Sequence, residues 1–153
     1  MKFKLLATLA LIAPLFFTTS VKAENPQDVE TLLSTGECVE CDLSGADLAG
    51  AHLIGADLRG ANLKGANLSE ANLEGADLTR ANLTGANLTS AFVTNANFQN
   101  ATLDEVNFTQ AMIYDANVNG ASMNDLIITD AEIFNTGIGI GGEDGELNVT
   151  PWD

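Results

Sequence analysis

The feature that most constrains this chain is a five-residue repeat that runs from Cys41 to Asn135 without insertion or deletion. It comprises nineteen consecutive pentads, and the third residue is always large and apolar: Leu from position 43 to 88, then Val, Phe, Leu, Ile or Met up to 133. The first residue is Ala in sixteen of the nineteen units, the exceptions being Cys41, Val106 and Leu126. Such strict periodicity outweighs local propensity when the fold is predicted.

A period of five fits neither regular secondary structure. On an α-helix every fifth residue is rotated by about 140°, so the apolar residues would be scattered around the cylinder. On a flat strand, successive third positions would point to opposite sides, because side chains alternate with a period of two. The chain therefore has to turn once in each pentad. In the unit 46–50, Ala46 and Leu48 would share the inward face, and the last two residues would form the corner.

The size of one pentad predicts how many units close a coil. One side holds about three extended residues, near 10 Å, which is also the distance at which two sheets pack face to face. A square satisfies both lengths, whereas a triangle leaves too little room for Leu and a pentagon leaves a hole. Residues twenty apart would then stack at about 4.8 Å. The sequence predicts an all-β solenoid, a quadrilateral parallel β-helix of about five coils with strand ladders on four faces.

Individual units such as ADLAG, ADLRG, ANLKG, ANLEG and ANLTG resemble the A-[DN]-L-x-x motif of the pentapeptide-repeat proteins. The resemblance covers 95 of 153 residues and implies a right-handed quadrilateral β-helix with the Leu and Ala side chains inside. The later units AFVTN, VNFTQ, AMIYD, LIITD and AEIFN depart from the motif, and Val106 and Leu126 enlarge one inward column.

Residues 1–23 have the pattern of a secretory signal peptide, with Lys2 and Lys4, an apolar stretch over 5–17 and small residues at the cleavage positions. A retained membrane anchor is the alternative, but this stretch is shorter than the roughly 20 residues that a bilayer requires. We expect export and no stable membrane anchor after cleavage. The destination would be a periplasm, a thylakoid lumen or the extracellular space, and the resemblance favours the first two because the family is abundant in cyanobacteria.

Loss of residues 1–23 removes three of the six basic residues and none of the twenty-one acids, so the formal net charge changes from −15 to −18. Such a field repels nucleic acid and anionic membranes and favours solubility or a basic partner. Of the remaining basic residues, Arg59 and Arg80 are expected to relieve the repulsion between Asp57 and Asp77, which stack in the predicted register.

Two segments flank the repeat. Residues 24–40 should contain a short capping helix and a linker, with Asn25 as N-cap, an end near Ser34, and an apolar side made of Val29, Leu32 and Leu33 that covers the first coil. Residues 136–153 are Gly-rich and acidic and form either a tail or a cap; Trp152 favours a cap.

Cys38 and Cys41 form a C-x-x-C at the start of the repeat domain, 41–135. In an exported protein a structural disulfide is the first expectation. A buried, inert thiol at Cys41 is the alternative, since Cys41 occupies the inward Ala position. Redox catalysis would need a strand-to-helix context that this segment lacks, and two Cys with His52 cannot complete a zinc site.

The second pentad residue is Asn or Asp in twelve of the nineteen units. Calcium binding is one interpretation, and Gly141–Gly145 faintly resembles a calcium repeat. The repeat itself explains these residues better, because short amides and carboxylates bond the nearby backbone and stack along a face. We expect no metal, no cofactor and no catalytic residues, since a filled rod offers no concave pocket with convergent titratable groups.

One side of the coil differs from the other three. The units that begin at residues 51, 71, 91, 111 and 131 place Phe92, Met112, Tyr114 and Phe134 at outward positions, with Tyr114 above Phe134. Exposed apolar patches of this kind mark contact surfaces. The alternative is that Ile138, Ile140 or Trp152 folds back over them.

These observations predict a non-catalytic, exported module that binds protein or has a structural role. Some relatives resemble DNA in shape and charge and inhibit type II topoisomerases. That alternative agrees with the acidic rod but requires a cytosolic location. A third class, an exported enzyme, would depend on His52 or on the Cys pair.

Overall fold

The computed structural model describes residues 25–138, and in this range the chain is a parallel β-solenoid. Parallel bridges join the second residues of pentads that are four units apart, from Glu37 with Asp57 up to Asn107 with Ile127. Paired residues are twenty positions apart, so four pentads make one turn, as the sequence predicted. The later units that depart from the motif keep this register up to the pair Tyr114 and Phe134.

Hydrogen bonding within a pentad shows why five residues suffice for one side. The N–H of Asn67 donates to the preceding coil at 2.9 Å, and those of Leu68 and Glu70 donate to the following coil at 2.7 and 2.8 Å. The N–H of Ala71 donates back across the corner to the carbonyl of Leu68 at 3.1 Å. The remaining N–H, that of Ser69, donates to the side-chain Oδ1 of Asn67 at 3.3 Å. Five consecutive N–H groups are thereby satisfied, as a packed backbone requires.

The corner is made by the fifth residue, which has a left-handed backbone in every pentad from 36–40 to 131–135. Its φ runs from 50° at Asn135 to 73° at Gly120. Gly adopts this conformation without a steric penalty, but twelve described corners carry other residues and are therefore strained. At Gly120 an added Cβ would also meet Oδ1 of Asn100, so the Asn100 side chain would have to shift.

The core is a single column of Leu and Ala side chains along the solenoid axis. The ten Leu residues from 43 to 88 are at most 2% exposed, and the described residues include no buried polar or charged side chain. Because each buried Leu contributes about 1.5–3 kcal/mol, this column is the main source of stability. In the last described coil, inward Met123, Leu126, Ile128 and Ile133 are only partly buried.

Regular strands are short. Within residues 25–138 they are β1, Met112–Tyr114, and β2, Glu132–Phe134, which pair in parallel. Elsewhere one residue per pentad is bridged, because the fourth and fifth residues turn. The predicted strand ladders are thus mostly columns of single bridges. The aromatic and β-branched residues of β1 and β2 favour an extended backbone, which explains why three successive residues pair here, where other pentads have a single bridge.

Helix α1, Pro26–Thr35, precedes the coils. Asn25 accepts a hydrogen bond from the N–H of Gln27 at the N-terminus, and Gly36 ends the helix with φ 75°, one residue later than predicted. Leu32 is buried and Val29 packs on the core, but Leu33 is 57% exposed. The prediction that Leu33 lies on the packed side was wrong, since it is rotated by about 100° from Leu32.

The helix contacts the first coil through the main chain of Asp42. The N–H of Asp42 donates to the carboxylate of Asp28 at 2.8 Å, and the N–H of Asn25 donates to the carbonyl of Asp42 at 3.2 Å. In the next coil the corresponding N–H, that of Asn62, donates to the coil below it at 2.8 Å. Residues 25–28 therefore supply partners that a preceding coil would otherwise provide.

The stacking begins one unit earlier than the first recognised pentad. Glu37 bridges to Asp57, and Cys38 lies at the third position of the unit 36–40, where it is 2% exposed. The segment predicted as a linker is thus the first side of a coil. Gly at its first position and Cys at its third obscured the motif in the sequence.

Candidate protein-binding face

We call the side built from the pentads that begin at residues 51, 71, 91, 111 and 131 the aromatic face. Bridges join its second residues in the order His52, Asn72, Phe92 and Met112, and β1 pairs Met112 with Glu132. The fourth residues form a parallel column in which Tyr114 lies opposite Phe134. The twenty-residue register therefore brings the four predicted contact residues together on one side.

Two of these four side chains are exposed and two are half-buried. Phe92 is 44% exposed and Phe134 is 69% exposed, whereas Met112 and Tyr114 have intermediate burial. Ile54 extends the apolar character to the first coil and is 60% exposed. Phe134, Ile54 and Phe92 are therefore the exposed apolar side chains of this face.

The local chemistry of the pentad explains why these side chains are free. Where the second position is Asn or Asp, its side chain accepts a hydrogen bond from the N–H of the fourth residue, as Asn87 does from Thr89 at 3.1 Å. Phe92 and Met112 cannot supply that acceptor. Their side chains take no part in the hydrogen bonding that maintains the coil, so the fold does not require these residue types.

Tyr114 is tied to its neighbour in the next coil. Its hydroxyl donates a hydrogen bond to Oε2 of Glu132, eighteen residues later. This bond, together with desolvation and the charge of Glu132, raises the pKa of Tyr114 above its usual value. The bond orients the tyrosine ring along the face. Sequence analysis placed Glu132 in register but did not recognise its role; the i and i+18 spacing of Tyr and Glu on one face was the available indication.

The segments proposed as a cover of this face lie mostly outside the described residues. Ile140 and Trp152 are among them, whereas Ile138 is 3% exposed and packs with the core cluster. Ile138 therefore belongs to the interior, while Phe92 and Phe134 remain accessible.

Cys38 and Cys41 are joined by a disulfide, with their Cα atoms 5.3 Å apart. Cys38 points into the core, and Cys41 occupies the inward first position of the next unit and is partly buried. The bond connects two successive sides of the first coil across one corner. Its position beside α1 indicates a structural role.

Two acidic groups, Asp57 and Asp104, are held by local hydrogen bonds. Arg59 contacts both carboxylate oxygens of Asp57, at 2.7 and 2.5 Å, and this interaction lowers the pKa of Asp57. A hydrogen bond from the hydroxyl of Ser122, supported by Asn124, lowers the pKa of Asp104. No group of three or more His, Cys, Asp or Glu side chains within 25–138 is arranged to hold a metal ion.

Two further features bear on function. An open groove at the C-terminal end is lined by Ala116, Asn117, Val118, Asn119, Asn135, Thr136 and Gly137, none of which is titratable. In the described part of the chain, α1 has neither the length nor the hydropathy of a membrane span.

The geometry defines a β-solenoid with four pentads per turn, and comparison with known proteins identifies its family. The model of pentapeptide repeats matches residues 41–80, 66–102 and 94–125. These matches span more than half of the chain, which therefore belongs to the pentapeptide-repeat family.

Several solved structures are similar to this chain. A pentapeptide repeat protein from the Arabidopsis thaliana thylakoid lumen is 35% identical, with a TM-score of 0.58, over 72% of each chain. A pentapeptide repeat protein from Nostoc PCC 7120 is 25% identical, with a TM-score of 0.41, over 65% of this chain and 95% of that one. QnrB1, a plasmid-mediated fluoroquinolone resistance protein, is 20% identical, with a TM-score of 0.36, over 67% of this chain and 74% of that one. No curated protein matches the chain.

Proposed function

We propose that this chain is a non-catalytic, exported pentapeptide-repeat module that binds another protein through Phe92, Met112, Tyr114 and Phe134. The observation that carries the proposal is the exposure of Phe92 and Phe134, at 44% and 69%, on one continuous face. Aromatic side chains and Met are enriched in protein interfaces, where they contribute much of the binding energy.

The contrast with the other sides supports this assignment. At outward second positions, Asn and Asp hydrogen-bond the backbone and one another, for example Asn97 to Asp77 at 3.2 Å and Asn117 to Asn97 at 2.9 Å. On the aromatic face Asn72 keeps such a bond, from the N–H of Glu74 at 3.0 Å, whereas Phe92 and Met112 cannot form one and present apolar surface instead. A binding partner that covers this surface would explain why Phe92 and Met112 are apolar, since the fold itself does not require apolar residues there.

Export is the second part of the proposal. It is supported by the signal-like composition of residues 1–23 and by the relative from a thylakoid lumen. Mass spectrometry of the protein isolated from its source is expected to find an N-terminus near Glu24. A mature chain that retains Lys2 and Lys4 would contradict this part.

The solenoid would be closed at its N-terminus by α1 and would contain about five coils. The hydrogen bonds of residues 25–28 with Asp42 support a capping role for α1, because open solenoid ends expose unpaired backbone and apolar side chains. The disulfide between Cys38 and Cys41 would stabilise the first coil beside this cap.

Topoisomerase inhibition by DNA mimicry is the less favoured function. A mimic needs closely spaced negative charge, but the side that begins at residues 46, 66, 86, 106 and 126 has one acid, Asp47, among its ten outward second and fourth positions. Cytosolic protein that inhibits a purified type II topoisomerase would favour the mimic over the binding module.

The binding proposal is tested by cross-linking in the native compartment, followed by purification and mass spectrometry. The variant with Phe92→Lys and Phe134→Lys should lose the partners that the natural protein captures. The matched control carries Gln99→Lys and Asn119→Lys, which add the same two charges at exposed positions on the adjacent side. Equal capture by the natural protein and the Phe variant, with both folded by circular dichroism, would refute the assignment.

A further inference from the structure

We propose that the occupant of the aromatic face is a positively charged protein segment with an apolar anchor, an inference that rests on the proposed function. The charges around the face carry it. Five acidic residues lie on the face or at its two bordering corners: Glu70, Glu74, Asp115, Asp130 and Glu132. We call these five residues the acidic frame.

The register places the acidic frame around the apolar residues. Glu74 lies at a fourth position two coils before Tyr114, and Glu132 lies at the second position directly after Met112. Glu70 and Asp130 are corner residues on one border of the face, and Asp115 is a corner residue on the other. All five are exposed, so their charges act on anything that approaches Phe92 and Phe134.

Among the described residues, no Lys or Arg lies on the aromatic face or at its bordering corners. Arg59 lies at the fourth position of the unit 56–60, and Lys64 lies at the fourth position of the unit 61–65. Arg80 lies at the corner between the sides to which these two units belong. No described basic side chain therefore neutralises the acidic frame, and Arg59 is already paired with Asp57.

The dimensions of the face limit what can bind. The four contact residues span three coils along the axis, roughly 10 Å between the first and the last, and two outward positions across it, about 7 Å. Such a patch is well below the area of a stable protein–protein interface and suits one or two apolar anchor side chains. Flanking Lys or Arg would then meet the acidic frame, which accelerates association and makes the complex sensitive to salt.

The geometry of Tyr114 and Glu132 is consistent with this occupant. The hydroxyl of Tyr114 uses one carboxylate oxygen of Glu132, and the other oxygen is available to a cationic donor. The carboxylate of Glu132 therefore lies beside the apolar patch.

The test uses synthetic peptides and the full mature protein. The probe is a fluorescent peptide with two Trp anchors among Lys residues; two matched peptides replace every Lys by Gln or by Glu. Fluorescence anisotropy should show that the Lys peptide binds at least tenfold more tightly than the Gln peptide at low salt. The difference should shrink towards physiological ionic strength, and the Glu peptide should not bind.

Two triple variants then separate local charge from net charge. Glu70→Gln, Glu74→Gln and Asp130→Asn together remove three charges of the acidic frame and should weaken the Lys peptide about 3- to 10-fold. Glu40→Gln, Glu105→Gln and Asp125→Asn remove three charges at corners away from the aromatic face and should change binding less than twofold.

Each remaining outcome overturns the inference. These are equal weakening by both triple variants, equal binding of the Lys and Gln peptides, and no binding of any peptide. The proposed function is tested separately, because capture in the native compartment can depend on Phe92 and Phe134 even when charge has no effect. If partner capture does not depend on Phe92 and Phe134 but peptide binding still depends on charge, the proposed function is refuted instead.

Discussion

The side that begins at residues 46, 66, 86, 106 and 126, here called the amide face, and the aromatic face share one backbone but use their outward residues differently. On the amide face Asn67 and Asn87 are bonded to each other and to the N–H groups of their own units. On the aromatic face Phe92 and Met112 have no such bonds and their side chains are available to solvent or a partner. The comparison teaches that an outward position maintains the coil when it carries Asn or Asp and can serve recognition when it does not.

The largest expected effect comes from removing an amide. Asn87→Ala should lower the free energy of unfolding by about 2 kcal/mol, because it leaves the N–H and hydroxyl of Thr89 without their acceptor and removes one of the hydrogen bonds to Oδ1 of Asn67. Phe92→Ala, at an equivalent second position, should cost clearly less. Urea denaturation followed by circular dichroism measures both; a larger loss for Phe92→Ala would break the comparison.

A second experiment converts one face into the other. Phe92→Asn should be about 1 kcal/mol more stable than Phe92→Ala, because Asn at position 92 can accept from the N–H of Thr94 and bond to Asn72, its bridge partner. Partner capture should be lost in both variants. Equal stability of the two variants would show that the amide pattern does not transfer to this face.

The corner between the two faces should respond to backbone strain alone. Gln110 has φ 58°, so Gln110→Gly should raise the free energy of unfolding by about 0.5–1 kcal/mol. The reverse change at the other border, Gly75→Ala, should lower it, because Gly75 has φ 66° although no atom lies within 4 Å of an added Cβ. Thermal unfolding measures the pair, and shifts of the same sign would contradict this account.

The smallest expected effect is a change in the pKa of Tyr114 on the aromatic face. Tyr114 is the single Tyr of the chain, so the ultraviolet absorbance of tyrosinate reports its pKa directly. We expect a raised pKa in the natural protein and a value nearer to normal in Glu132→Gln. A folded pKa above the unfolded one means that the stabilisation is present below about pH 10 and is lost as the pH rises through the folded pKa. Identical titrations in both proteins would exclude the bond.

Much of the candidate face was predictable, because the number of residues per coil determines which residues share a side. Once the coil has four pentads, Phe92, Met112 and Phe134 fall on one side whatever their detailed contacts. The bond of Tyr114 with Glu132 was not predictable in the same way, because it depends on side-chain rotamers across two coils. The start of stacking at Glu37 was missed since a Cys stands where Leu was expected.

The sequence by itself determined the period, the inward column, the twenty-residue register and the ends of α1 to within one residue, since these depend on local spacing and capping residues. Only the tertiary structure decided that Asp28 and Asn25 bond to Asp42, that Leu33 faces water, and which outward residues are exposed. The physical reason is distance along the chain. A repeat fixes geometry through neighbours, whereas contacts between the helix and the first coil, or between successive coils, form only after the chain has turned back on itself.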